Sequence, residues 1–140
     1  VGPRQTGQYG MVLPTFVQCA LFGKPITIYG DGTQTRSFTH VRDVVWALTR
    51  IMEEPAAEGD VFNVGNDHEV SIEDLARKVK EMTGSESEIE YLSYEKAYGP
   101  GFEDMQRRCP NIDKVKNLIG FEPRHDLEAI IQSVIDYFKE

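Results

Sequence analysis

The chain has 140 residues, 40% of them hydrophobic and 27% charged, with a formal net charge of −8. That is one domain's worth of chain with a modest core. It holds no run of about 20 apolar residues that would span a membrane, and its acidic balance argues against nucleic acid or an anionic membrane as a partner.

The first apolar pattern is Leu13, Phe16, Val17, Ala20 and Leu21, spaced as one face of a helix, with Pro14 suited to its first turn and Gly23 as a stop. Pro25-Ile26-Thr27-Ile28-Tyr29 alternates apolar and polar positions and is β-branched, which reads as a strand. Gly30-Asp31-Gly32 breaks it, and Ser37-Phe38-Thr39-His40 is extended again. The expected result is a hairpin-like element that carries Arg36 near its bend.

A second helix is expected from about Val41 to Glu54, with the stripe Val41, Val44, Val45, Leu48, Ile51 and Met52, ended by Pro55. Asp60 to Gly65 reads as a short strand. Ser71 with Asp74 has the form of a helix cap, followed by the stripe Ile72, Leu75, Ala76, Val79 and Met82 and closed by Gly84. Glu88 to Leu92 reads as a strand. Tyr98 to Pro110 is rich in Gly and Pro, and no regular element is expected there. Asn111 is expected to cap a helix that ends at Gly120, and Asp126 one that carries Leu127, Ile130, Ile131, Val134 and Phe138. Helices alternate with few strands, so the fold class is α/β with α+β character: a small sheet and several helices.

Cys19 and Cys109 form no C-x-x-C pattern, and two distant thiols suit a reducing, cytoplasmic setting. His40, His68 and His125 are scattered without an i,i+4 pair, and no metal is expected. Arg36 is the first candidate ligand for an anion, because a planar guanidinium suits phosphate or carboxylate. The plain alternative is a solvated arginine on a polar turn.

Val1 to Gln5, Val12-Leu13-Pro14, Lys24 to Gly32, Phe62-Asn63-Val64-Gly65 and Leu118 to Pro123 come in the order and spacing of one known family. The chain resembles the extended short-chain dehydrogenase/reductases, the NAD-dependent nucleotide-sugar epimerases, dehydratases and decarboxylases. Val1 departs from the tyrosine that is common there. The family's cofactor half carries a Gly-rich G-x-x-G-x-x-G turn and a catalytic Tyr-x-x-x-Lys pair. Neither occurs in this sequence. The resemblance therefore implies a C-terminal, substrate-binding domain spanning residues 1–140, a piece of a longer enzyme whose NAD-binding Rossmann domain lies outside it. Alone it is expected to catalyse nothing, and the parent is expected to be a homodimer. Phe62 to Gly65 would join the sheet of that other half, leaving an exposed edge or apolar patch here.

By the same resemblance, Arg36 would hold the diphosphate of a nucleotide sugar, a UDP-sugar foremost. Ile26, Thr27, Ile28 and Tyr29 would lie against its base, unless Ile26 and Ile28 are simply core. Gly10 to Pro14, with Met11, Val12 and Pro14 as the contacts, would meet the phosphates or ribose at a helix start. Leu13 and Phe16 read equally well as core. Asp104 would accept from the ribose hydroxyls, a carboxylate being suited to a diol. Arg108 stands where many relatives carry tyrosine and where the UDP-glucuronate decarboxylases carry arginine, so it is the one candidate catalytic residue, set to hold a C6 carboxylate or the charge left as CO₂ departs. Arg107 remains open as the ligand in its place, and Cys109 departs from a frequent lysine. The parent reaction would pass through a 4-keto sugar, with a UDP-glucose 4-epimerase-like course as the rival to decarboxylation. A non-catalytic binding or regulatory module on the same scaffold is the alternative of another class.

Overall fold

The computed structural model describes residues 1–5, 11–101 and 104–140. Gly10 of the expected helix start, and Phe102 and Glu103 of the Gly/Pro-rich segment, lie outside the described residues. Helix α1 (Val12–Leu21) is followed by strands β1 (Ile26–Tyr29) and β2 (Thr35–Ser37), then helix α2 (Val41–Glu53) and a single 3₁₀ turn at Pro55–Ala57. Strand β3 (Glu69–Ser71) runs directly into α3 (Ile72–Thr83), which leads to β4 (Ile89–Leu92), α4 (Tyr94–Tyr98) and β5 (Arg107–Arg108). Helices α5 (Asp113–Ile119) and α6 (Leu127–Lys139) complete the chain. The α/β class expected from the alternation is what the elements form.

The caps set these boundaries. Ser71 Oγ accepts from the Asp74 amide at 3.0 Å and opens α3, while Gly84 closes it in the left-handed region at φ 63°. Asp126 accepts from the Ala129 amide at 2.8 Å and opens α6. Asn111 bonds the Asp113 amide at 2.9 Å, so it turns the chain just ahead of α5, whose cap position is Ile112.

Two small sheets replace the single one expected. β1 pairs in parallel with β4, Ile26 opposite Ile89 and Tyr29 opposite Leu92. β2 lies between β3, antiparallel, and β5, parallel, with Arg36 opposite Val70 on one side and Arg108 on the other. The hairpin is therefore corrected: β1 and β2 belong to different sheets. Gly30 and Gly32 take φ of 79° and 81°, and Asp31 Oδ1 holds the amide and hydroxyl of Thr33 at 2.9 and 2.7 Å, so the chain leaves β1's plane before β2 begins. Tyr98 to Pro110 is corrected too, since Arg107–Arg108 forms a strand there through its pairing with β2. Phe62 to Gly65 is not a strand among the described residues, for no other segment pairs with it.

The main core joins α1, β1, α3 and α6: Leu13, Val17, Ile26, Ile28, Leu75, Val79, Ile130 and Ile131 are each at most 1% exposed. Burial on this scale contributes roughly 1.5–3 kcal/mol per large apolar side chain. A smaller cluster joins α2 and α5 through Ala47, Ile112, Val115 and Phe121, with Trp46, Phe62 and Val64 packed on it. Helix α2 buries Asp43 and Ala47, whereas Val45, Leu48 and Met52 of its apolar stripe are 53%, 51% and 86% exposed.

Candidate functional site: a cleft with two arginines

A cleft of about 730 Å³ opens between the start of α1, β1, β2, α4 and the residues that lead into β5. Strand alternation decides what β1 contributes. Thr27 and Tyr29 line the cleft, while Ile26 and Ile28 are 0% exposed and point into the main core. The expectation that Ile26 and Ile28 lie against a ligand is corrected for their side chains. β1 pairs with β4 on one side only, so its other backbone edge is unpaired among the described residues. Met11, Val12 and Pro14 line the opposite wall, together with Leu13 and Thr15. No acidic residue stands in the first turn of α1, and its cap residue Met11 makes no side-chain capping bond among the described residues.

Arg36 is on the floor, 8% exposed. A buried guanidinium must satisfy its donors. Nη1 donates to the carbonyls of Thr35 and Met105 at 2.7 and 2.8 Å, and Nη2 to Asp104 Oδ2 at 2.6 Å. Nε and the second Nη2 N–H have no partner among the described residues. Two residues expected to serve a ligand separately are thus joined as an ion pair.

Period two also separates the two arginines of β5. Arg107 turns away: Nε and Nη2 hold Glu69, the latter at 2.7 Å, and Thr35 Oγ1 adds a bond to the same carboxylate at 2.7 Å. Those donors, Arg107 first, hold the Glu69 carboxyl below its usual range. Arg108 faces the cleft beside its register partner Arg36 and makes no side-chain hydrogen bond or ion pair among the described residues. Of the two arginines left open, Arg108 lines the cleft and Arg107 is held by Glu69 outside it.

Sequence reading missed the aromatic wall and the bonds behind it. Tyr98 meets Tyr29 edge-on at 5.5 Å and stacks with Tyr94 at 6.4 Å. Tyr94 donates to Asp104 Oδ2 at 3.0 Å and accepts from Gln34 Nε2 at 3.0 Å, and Gln34 also donates to the Tyr29 carbonyl at 2.7 Å. Burial and the Asp104 carboxylate push the Tyr94 phenol up to about 12. One signal was available: Ser93 has the form of a helix cap before Tyr94, and its Oγ accepts from the Lys96 amide.

In chemical terms the cleft combines an aromatic wall, a helix start with no acidic residue in its first turn, one buried arginine and one open arginine. It suits an elongated anionic ligand with a flat group at one end.

Residues 1–65 match the model of the NAD dependent epimerase/dehydratase family. The chain is 38% identical over 140 residues to the UDP-N-acetyl-alpha-D-glucosaminuronate decarboxylase of Bacillus cytotoxicus, covering 99% of this chain and 43% of that protein. It is 39% identical over 139 residues to UDP-glucuronic acid decarboxylase 1 of Xenopus tropicalis, covering 99% of this chain and 31% of that one. Among solved structures, the UDP-glucose 4-epimerase of Thermotoga maritima with UDP-glucose superposes with a TM-score of 0.87 at 31% identity, over 99% of this chain and 43% of that one. The UDP-glucuronic acid 4-epimerase of Bacillus cereus, in complex with UDP-glucuronic acid and NAD, gives 0.86 at 28% identity, over 99% and 42%. The match over residues 1–65 and the likeness over 99% of the chain tie it to the NAD-dependent epimerase/dehydratase family. It spans less than half the length of these relatives. No helix among the described residues is long and apolar enough to cross a membrane.

Proposed function

We propose that this chain is the C-terminal, nucleotide-sugar-binding part of a cytoplasmic enzyme that decarboxylates a UDP-sugar bearing a C6 carboxylate. The observation that carries the reading is the placement of Arg108 beside Arg36 on one cleft face, the first open and the second buried. Arg36 takes the diphosphate, Asp104 the ribose, and Tyr29 with the unpaired edge of β1 the base. Arg108 lies further along the ligand, where a cation holds the C6 carboxylate. The uronic-acid substrates named in several relatives support an acidic sugar.

NAD does not fit this chain. The sequence has no G-x-x-G-x-x-G turn, and its Gly30-Asp31-Gly32 turn leads into β2 and not into a helix. The cofactor, which when bound accepts hydride from the sugar C4, belongs to the remainder of the parent. The stripe Val45, Leu48 and Met52 and the unpaired segment 61–65 are the surfaces that remainder would cover, and a homodimer would form through it.

Once C4 is a ketone, the C6 carboxylate is β to it. The C5–C6 bond then breaks, CO₂ leaves, its electron pair passes to the C4 oxygen as an enolate, and C5 takes up a proton. Arg108 orients the carboxylate before this step and offsets the charge as it moves. Nucleotide contacts remote from the reacting carbon fix the sugar's position.

Isothermal titration of the chain with UDP-glucuronate and UDP-glucose tests the reading. A preference of about tenfold for UDP-glucuronate, lost in Arg108→Ala with UDP affinity kept, is expected. Equal affinities for the two sugars, unchanged by Arg108→Ala, would overturn the acidic-sugar assignment.

A further inference from the structure

The bonds behind the cleft fix the direction of a proton. The Tyr29 carbonyl is only an acceptor, so the Gln34 group 2.7 Å from it is the amide nitrogen. That nitrogen has a second hydrogen, which goes to the Tyr94 oxygen at 3.0 Å. Tyr94 therefore turns its own hydrogen to Asp104 Oδ2, the oxygen that Arg36 also holds. Two donors on one carboxylate oxygen leave Oδ1 of Asp104 without a partner among the described residues.

Packing fixes the ring as well. A Cβ on Gly30 would come within 2.6 Å of Tyr94 Cε2, so the phenol lies against bare backbone where a side chain would displace it. Gln34 is 6% exposed, and a buried amide with both contacts made has no competing orientation.

We infer that Tyr94, oriented by Gln34, is a positioning residue: it holds the Asp104 carboxylate so that Oδ1 faces a ligand's ribose, and it thereby sets the preference for ribose over 2′-deoxyribose. This rests on the reading of Asp104 as the ribose contact. Neither residue needs to touch the ligand. Because the phenol stays protonated well above neutral pH, the donor is present throughout the working range.

The test compares UDP with 2′-deoxy-UDP by titration calorimetry on the chain, its Tyr94→Phe, Gln34→Met and Asp104→Ala variants, with thermal unfolding to confirm that each is folded. The wild type should bind UDP about tenfold more tightly than 2′-deoxy-UDP. Tyr94→Phe, which keeps the ring, should bring that ratio to about two, and Gln34→Met should lower it less. A collapsed ratio in Asp104→Ala with an unchanged one in Tyr94→Phe would overturn the positioning role while the ribose reading stands. No ribose preference in the wild type, or a ratio that survives Asp104→Ala, would overturn that reading and the inference with it. An unchanged ratio in Gln34→Met alone would remove Gln34 from the relay.

Discussion

The two apolar clusters of this chain close in different ways. The one beneath the cleft is complete: α1, β1, α3 and α6 bury their apolar faces on each other, and Ile26, Ile28, Leu75, Val79, Ile130 and Ile131 are all at 0% exposure. The one around α2 is half covered. It encloses Ala47, Val115 and Phe121, yet leaves Leu48 and Met52 on the far side of the same helix open to solvent. A hydrophobic stripe shows which face of a helix is apolar, and it does not show whether the same chain supplies the cover.

Substitutions in the two regions should separate them. The largest effect is expected in the closed core, where Ile131→Ala should lower the unfolding free energy by about 2–5 kcal/mol, read from urea titration. Next is Arg36→Ala, which removes the donor of two carbonyls and the ion-pair partner of Asp104. With Asp104 part-exposed, a loss of about 2 kcal/mol is expected, accompanied by loss of UDP binding. Arg36→Lys should recover part of the stability and little of the binding, since an ammonium lacks the planar fork.

A third test uses pH at the junction of the two regions. His40 caps α2 by accepting from the Arg42 amide at 3.1 Å, and its ring stacks on His125 at 4.2 Å. Burial first, then the His125 ring, pulls the His40 imidazole below its ordinary value, outweighing the opposing pull of Asp43. A base whose folded value is lowered gives stability that is present above its unfolded value, about 6.5, and lost as pH falls below it. Protonation would also remove the acceptor that caps the helix. The urea midpoint should therefore drop from pH 7.5 to pH 5.5 in the wild type and fall less in His40→Asn, because Asn caps without titrating in that window.

The smallest effect is expected on the open face of α2. Met52→Glu should change stability by no more than about 0.5 kcal/mol, whereas Ala47→Leu on the buried face should cost about 1–3 kcal/mol through overpacking. A large loss at Met52 would mean that its face is covered within this chain, and the contrast between the clusters would fall.

Local chemistry made much of the fold legible. Ser71, Gly84 and Asp126 announce helix ends because caps act over three or four residues, and the structure places α3 and α6 at those ends. What escaped depends on distant partners. β5 is two arginines that become a strand only beside β2, and Gly30 to Gln34 separates β1 from β2, each of which pairs with a strand far along the chain, β4 and β5. The cleft shows the same division. Arg36 and Arg108 stood out by residue type and resemblance, but the bond between Arg36 and Asp104 joins positions 68 residues apart. Tyr94 was likewise hidden, because its role follows from Gln34 and Asp104 rather than from its neighbours in sequence.

The central claim is that the Arg36 face of β2 and β5, and not the outward Arg107 face, receives the nucleotide. Titrating UDP into the wild-type chain, Arg36→Lys and Arg107→Ala by calorimetry tests it most directly. Saturable binding that weakens at least about tenfold in Arg36→Lys and is unchanged in Arg107→Ala is the expected result. Binding that survives Arg36→Lys intact, or that is lost in Arg107→Ala with the fold preserved, would contradict it.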